Sequence, residues 1–243
     1  MKLQYLAGVV VTSASSLPSL QNVLLRPDVW RGDRFATAPM AAVASGFETL
    51  DAELPGGGWP RGALTELLSD AHGLGELSLL QAALRQCAGQ APVALVAPPY
   101  LAHAPAWAGC LPLERLLLVQ ARGADIAWSA EALLGSGALG AMLVWLPVQT
   151  DTRCLRRLQL AAEGHPAPVF VFRPLAAARS ASPAGLRLVL AGKPEGLQLR
   201  ILKRRGPPCN VPLLLEVPRP VSRARLLDRM APGVLAVPYP VEA

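Results

Sequence analysis

The chain has 243 residues, of which 52% are hydrophobic and only 16% are charged, and its formal net charge is +6. This composition excludes a disordered polar chain, and no apolar run is long enough to cross a bilayer, so we expect one globular core with an arm at each end. The four cysteines and three histidines are scattered, which argues against a disulfide framework and against a zinc site. We therefore expect a cytoplasmic protein that binds no metal and spans no membrane.

Residues 1–43 precede the first core pattern and are predicted to form an N-terminal arm and linker. Within them, Leu20, Val23 and Leu24 share one side of a short predicted helix, and Trp30 follows it. Such an arm docks on a partner or folds back on its own core, and the sequence leaves both open. Trp30 is the candidate partner contact in this arm, because tryptophan is enriched among interface hot spots.

The predicted core covers residues 44–217 and begins with a strand, a small-residue loop, a helix and a second strand. The first strand spans 63–68, a helical periodicity runs over 76–88, and the second strand spans 92–97. This order is typical of a phosphate-binding loop, in which backbone N–H groups and a helix N-terminus hold the phosphates.

The loop between this strand and helix departs from a working phosphate loop. A working loop requires a lysine for the β- and γ-phosphates and a hydroxyl for Mg²⁺, but Glu76 stands at the lysine position and Leu77 at the hydroxyl position. A carboxylate there repels a triphosphate. We therefore predict a degenerate loop, without cofactor, whose characteristic residues are Ser69, Gly73, Gly75 and Glu76.

The remaining core elements alternate between strands and helices and end in a hairpin. The pattern predicts strands at 116–120, 141–146 and 169–172, helices at 124–134 and 151–163, and a β-hairpin at 185–202 in which Leu186 and Leu188 flank Arg187. Asp125 is the predicted N-cap of the first of these helices, and Thr150 or Asp151 that of the second. The whole pattern predicts an α/β fold with a twisted, mostly parallel sheet, helices on both faces and a C-terminal antiparallel hairpin.

The positive charge is concentrated near the C-terminal end of the chain. Residues 200–230 contain eight basic side chains against two acidic ones, and residues 218–243 are predicted to form a basic tail. This imbalance predicts an acidic partner, either nucleic acid or an acidic protein surface, although a tail that only aids solubility has the same composition. The candidate partner-binding or nucleic-acid-binding residues here are Lys203, Arg204, Arg205, Arg219, Arg223, Arg225 and Arg229.

A family resemblance is carried by residues 44–80. They read Ala44-Ser45-Gly46-Phe47, then Leu50-Asp51, then Leu54-Pro55-Gly56-Gly57-Gly58-Trp59-Pro60-Arg61-Gly62, and later Gly73-Leu74-Gly75-Glu76. The segment resembles the start of the RecA-like core and, more narrowly, the ImuA family, which is associated with translesion synthesis and related to SulA. The resemblance is specific over 44–80 and extends to about Pro208 by strand order alone. It implies a RecA-like fold.

The resemblance also identifies two further positions where chemistry is expected to be lost. In an active RecA-like core a glutamate follows the second strand, whereas residues 97–100 contain no carboxylate. The fourth strand should end in a metal-binding aspartate, whereas Trp145 occupies this place. The resemblance therefore implies a pseudo-ATPase and not an enzyme.

The function implied by the resemblance is that of an accessory protein in DNA repair by mutagenic translesion synthesis, induced in the SOS response to DNA damage. It would bridge RecA and an ImuB-like polymerase-related protein and, through the latter, an error-prone replicative-type polymerase. The two loops that hold DNA in RecA-like recombinases are short here, at 147–150 and 173–183, where Arg173 and Arg179 are the only basic residues, so we expect only weak non-specific DNA binding. Self-association stays open.

Two alternatives come from other functional classes. A SulA-like protein would inhibit the tubulin-like division GTPase by binding it. An ATPase with unconventional groups would have to use Arg61, Asp70 and Glu76, the only plausible candidates near the loop.

Overall fold

Residues 41–218 are described by the computed structural model, and the predicted arm with Trp30 and the tail residues Arg219, Arg223, Arg225 and Arg229 lie outside the described residues. The strands are β1 (Ala42–Val43), β2 (Trp59–Pro60), β3 (Leu64–Leu68), β4 (Val93–Val96), β5 (Leu116–Val119), β6 (Ala141–Trp145), β7 (Val169–Arg173), β8 (Leu186–Lys193), β9 (Gly196–Lys203) and β10 (Leu213–Leu215). The α-helices are α1 (Glu48–Asp51), α2 (Gln81–Ala88), α3 (Ala104–Ala108), α4 (Asp125–Gly135) and α5 (Thr152–Glu163).

Eight of these strands form one mixed sheet in the order β10-β9-β8-β3-β7-β6-β4-β5. The six strands from β8 to β5 in this order run parallel, β9 is antiparallel to β8, and β10 is antiparallel to β9. The predicted α/β class, the mostly parallel sheet and the C-terminal hairpin are thus confirmed. Among the described residues, β5 has no neighbour on its outer side, and its Leu117 and Leu118 are 39% and 42% exposed.

Helices cover both faces of the sheet because alternate strand residues point to opposite sides. On one face Leu95, Leu143 and Phe170 join a buried cluster with residues of α2. On the other face their neighbours Ala94 and Met142 join a second cluster with α4 and α5. No helix within 41–218 combines the length and apolar character that a bilayer crossing would need.

Two predicted helix starts differ from the structure, and one is confirmed. Asp151 is the N-cap of α5, and its Oδ1 accepts the N–H of Cys154 at 2.6 Å. The predicted cap role of Asp125 is wrong, because Asp125 is already the first helical residue and the preceding Ala124 has no side chain that can cap. The helix predicted from Glu76 is also shorter: a 3₁₀ turn covers Ser78–Leu80, and α2 begins only at Gln81.

The motif at residues 44–62 forms a small structural unit that packs on the same face of the large sheet as α2. The Asp51 carboxylate accepts the N–H of Ser45 at 2.9 Å, and β1 pairs with β2 in an antiparallel ladder. A Cβ on Gly58 would lie 2.3 Å from the carbonyl oxygen of Val43, so only glycine fits at this close approach. Trp59 is fully buried and contacts Phe170 of β7 edge-on, with ring centroids 5.4 Å apart.

A buried ion cluster joins the three adjacent strands β7, β3 and β8. Glu66, in the middle of β3, is fully buried; Arg187 Nε on β8 donates to its Oε2 at 2.6 Å, and Arg173 Nη1 on β7 donates to its Oε1 at 3.3 Å. Ser182 Oγ donates to the same Oε1 at 2.7 Å. The spare guanidinium N–H groups reach the backbone carbonyls of Ala177, Val148 and Thr150. A buried charge is tolerated only with such partners.

Glu66→Ala is expected to destabilise the protein severely. The substitution leaves two buried guanidinium groups without their carboxylate, and breaking a buried pair in this way costs about 3–5 kcal/mol. Urea denaturation followed by circular dichroism measures the change. The matched control is Glu114→Ala, at an exposed carboxylate, which should stay within about 0.5 kcal/mol of the original chain. A loss below about 1 kcal/mol for Glu66→Ala would show that the cluster is not a structural requirement.

Candidate functional site

The candidate site lies at the carboxyl edge of the parallel strands, which is where α/β sheets bind ligands. The loop 69–75 follows β3, the segment 97–103 follows β4, and Trp145 ends β6. Residues from all three line one cavity of about 470 Å³. The sheet therefore brings the loop after β3 and Trp145 to the same edge.

Glu76 occupies the anion-binding position of its own loop. The N–H of Gly73 donates to Glu76 Oε1 at 2.9 Å, and the N–H of Leu74 donates to Oε2 at 2.7 Å. The loop can turn in this way because Gly73 and Gly75 have φ angles of +74° and +97°, which side chains other than glycine rarely adopt. Backbone N–H groups that would face a phosphate thus bind a carboxylate supplied by the chain itself.

This arrangement also explains the late start of α2. The Glu76 side chain folds back toward Gly73, and the first regular hydrogen bond of the next turn runs from the N–H of Leu79 to the carbonyl of Gly75. Residues 76 and 77 form a turn rather than helix, so the loop does not end in the open helix N-terminus that holds phosphate in a working site.

Trp145 fills the position where the resemblance places a metal-binding aspartate. Its ring stacks on Phe172 of β7, with centroids 4.7 Å apart and an angle of 8° between the planes. The pair presents an apolar surface at the strand ends, where a metal site would need carboxylate oxygens. Within residues 41–218, no three His, Cys, Asp or Glu side chains lie close enough together to hold a metal ion.

The other polar side chains of the loop, and Arg61, form hydrogen bonds within the protein. Asp70 Oδ1 accepts the N–H of Leu175 at 3.0 Å, and Ser69 Oγ makes a local turn with Ala71. Arg61 precedes β3 and donates to the carbonyl of Pro166 at 2.8 Å, so it lies at the opposite end of this strand from the loop. The structure therefore does not bring Arg61 together with Asp70 and Glu76.

An aromatic groove beside the loop is the feature that sequence reasoning missed. The first cavity and a second one of about 620 Å³ share His72, Glu76, Pro99 and Trp145 as lining residues. In the segment after β4, Tyr100 and Leu101 are 69% and 83% exposed. The run Pro98-Pro99-Tyr100-Leu101 was the available signal, since two prolines followed by two large apolar residues form a rigid apolar loop.

The described basic candidates fall into different environments. Lys203 is exposed and donates from Nζ to the carbonyl of Ser182 at 3.0 Å, and Arg205 is exposed as well. Arg204 is buried as a side chain: its Nη1 lies 2.6 Å from Glu53 Oε2, and its Nε donates to the carbonyl of Pro207 at 2.7 Å. The hydrogen bond from Arg204 lowers the pKa of the Glu53 carboxyl against the opposing effect of burial. Arg204 therefore joins the hairpin to the segment after α1.

Of the two arginines in the short loop 173–183, only one is exposed. Arg173, at the start of the second loop, is buried and bonded to Glu66, so it is not available to a DNA phosphate. Arg179 ends a 3₁₀ helix over Leu175–Arg179 and is exposed. One exposed arginine provides a weak electrostatic contact at most.

Comparison of the chain with protein-family models and with curated protein sequences gives no match.

Arg204→Ala is expected to destabilise the protein by about 1–2 kcal/mol. A buried guanidinium bonded to the carboxylate and the carbonyl of Glu53 and to the carbonyl of Pro207 is lost, while the partly exposed Glu53 carboxylate keeps access to water. Because the pKa of Glu53 is lowered in the folded state, the contribution of the pair is present above the ordinary carboxyl pKa of 4.5 and lost as the pH falls through the lowered value. Thermal unfolding at pH 7 and pH 3 measures both effects.

The control for this experiment is Arg200→Ala, at an exposed arginine on β9 of the same hairpin. It should leave the midpoint unchanged at both pH values. Equal effects of the two substitutions at pH 7 would contradict a structural role for Arg204.

Proposed function

We propose that this protein is a non-enzymatic scaffold with a RecA-like fold, which acts as an accessory factor in DNA-damage-induced mutagenic translesion synthesis. In this role it bridges RecA and an ImuB-like polymerase-related protein and, through that protein, contacts an error-prone replicative-type polymerase. The observation that carries the proposal is the double hydrogen bond of Glu76 to the N–H groups of Gly73 and Leu74. A loop that binds its own carboxylate has no need of nucleotide to keep its shape.

The strand order supports the RecA-like part of the proposal. Two strands, β6 and β7, lie between the loop strand β3 and the next strand along the chain, β4. In the dinucleotide-binding order the first two strands are direct neighbours, so this sheet belongs to a different topology. The degenerate loop follows β3 near the middle of the sheet, and the motif at residues 44–62 packs beneath it through Trp59.

The side chains at the cavity support a binding role over a catalytic one. A phosphoryl-transfer site needs a cation on the phosphates, a metal and an oriented water. Here Glu76 bears the wrong charge, Trp145 offers an apolar ring, and Asp70 is bonded to the Leu175 N–H. These replacements favour a surface that meets another protein.

The partner contacts are proposed to lie in the arm with Trp30 and in the basic tail with Arg219, Arg223, Arg225 and Arg229, with DNA contacts that are weak and non-specific. Among the described candidates, Lys203 and Arg205 are exposed and suit such a role, whereas the buried ion pair of Arg204 suits a structural one. We place the protein in the cytoplasm, and self-association through the arm belongs to the same proposal.

Magnesium-ATP is expected to show no affinity tighter than about millimolar, because the triphosphate must displace the Glu76 carboxylate from the loop. Isothermal titration calorimetry measures the affinity, and phosphate release measures hydrolysis, which should stay at background. The matched variant Glu76→Gln removes the charge but keeps the size, and it should bind pyrophosphate more tightly than the original chain while still failing to hydrolyse ATP. A micromolar constant for the original chain would contradict the proposal.

The combined substitution of Arg223, Arg225 and Arg229 by alanine in the full-length chain is expected to abolish binding to at least one of RecA and the ImuB-like protein. Arginine is enriched at hot spots and also steers association with acidic surfaces. A pull-down with purified partners measures retention. The control replaces two exposed arginines of α5, Arg153 and Arg156, which should leave binding unchanged.

The same purified full-length protein distinguishes the scaffold proposal from the SulA-like alternative. If the protein instead blocks polymerisation of the division GTPase at equimolar amounts and retains neither RecA nor the ImuB-like protein, the scaffold proposal is wrong.

A further inference from the structure

The aromatic groove at the carboxyl edge is apolar, open and next to the place where the described chain ends. Tyr100 and Leu101 are largely exposed on the segment after β4, and they line the cavity together with the buried Trp107 and with Trp145. Both carboxylate oxygens of Glu76 accept loop N–H groups, and most of the other lining residues are apolar or aromatic. The groove therefore suits an apolar occupant.

The last described residues pack against Gly75, in the loop that borders the groove. A Cβ on Gly75 would lie 2.5 Å from Val217 Cγ2 and 3.4 Å from the carbonyl oxygen of Pro218, so both residues are packed on this glycine. Val217 is itself buried in the core cluster that contains Trp107. Gly75 is also a lining residue of the groove. The described part of the chain thus ends at Pro218, beside the rim of the groove.

The sequence of the tail contains a segment that fits this groove chemically. Residues 234–241 read Val-Leu-Ala-Val-Pro-Tyr-Pro-Val and carry no charge, whereas residues 219–229 carry four arginines. Proline-rich apolar segments bind aromatic-lined grooves because their extended conformation is already restricted before binding. Residues 219–233 can extend over about 50 Å, which is ample for a groove that begins at Gly75.

We propose that residues 234–241 of the same chain bind in the aromatic groove and cover Tyr100, Leu101 and Trp145 at the carboxyl edge of the parallel strands. The proposal goes beyond the scaffold function and does not depend on which partners the protein has. It favours an intramolecular occupant over a second copy because the described chain ends at the rim, and a linker of only residues 219–233 gives the segment a high effective concentration there. It leaves the arginines of residues 219–229 outside the groove.

The test uses the full-length chain with the photo-crosslinking residue p-benzoylphenylalanine in place of Tyr239. After irradiation of a mixture of ¹⁴N- and ¹⁵N-labelled protein, mass spectrometry locates each crosslink and shows whether it joins one copy or two. We expect crosslinks to residues 98–107 within a single copy. The matched control carries the same probe at Leu226, an apolar tail residue outside the proposed segment, and should give about tenfold less of these products.

A second pair of variants tests the groove itself. Leu101→Asp places a charge on a side chain that is 83% exposed, so the fold is retained while the proposed contact is lost, and the crosslink yield from position 239 should fall about tenfold. Leu214→Asp, at an exposed leucine of β10, should leave the yield unchanged. Crosslinks at other sites, a yield no greater than from position 226, or crosslinks only between differently labelled copies would each overturn the proposal.

Discussion

The carboxylate of Glu66 is the charge around which the centre of the sheet is arranged. It lies on β3, and its two arginine partners come from the strands on either side, so the cluster fixes the register of β7 and β8 against β3. The same arginines reach the carbonyls of Val148, Thr150 and Ala177, which belong to the segments after β6 and β7. One buried anion therefore positions both the strands and the loops at the edge where the candidate site lies.

The second anion of the structure, Glu76, acts at that edge in a different way. Held by the backbone only a few residues away, its carboxylate competes with any external anion at a large effective concentration, and no diffusing ligand has to be ordered. The N–H groups of Gly73 and Leu74 are thus occupied by a carboxylate of the chain itself. A substitution of Glu76 alone leaves Trp145 and the carboxylate-free segment after β4 unchanged at the same cavity.

The strands and helices were largely predictable because each forms a local pattern. The apolar runs of β3, β4, β6 and β7 and the alternation in β8 and β9 gave their positions within a few residues. The one capping error, at Asp125, has a local cause as well. Asp125 and Asp151 both precede apolar periodicity, but only Asp151 has the extended backbone that lets its carboxylate turn back.

The ion cluster and the groove were not predictable in this way. Glu66 and Arg187 are opposite each other only because β8 pairs directly with β3, a fact of topology that joins residues 121 positions apart. Arg187, between two leucines, has the pattern of a solvent-facing residue, although it is buried. A glutamate within an apolar strand does indicate a hidden cation, but it does not say which one. The groove likewise depends on three strand ends that meet only after the sheet has formed.

The leucines of β5 have a consequence for how this protein behaves at high concentration. Along the described part of the chain the outer side of this strand carries unpaired backbone donors and acceptors, flanked by Leu117 and Leu118, both more than a third exposed. Proteins usually guard such an edge with lysine, proline or a bulge, and β5 reads Leu-Leu-Leu-Val. An edge of this composition accepts any extended apolar strand, including one from a misfolded neighbour. The colloidal stability of the folded protein therefore depends on what covers β5.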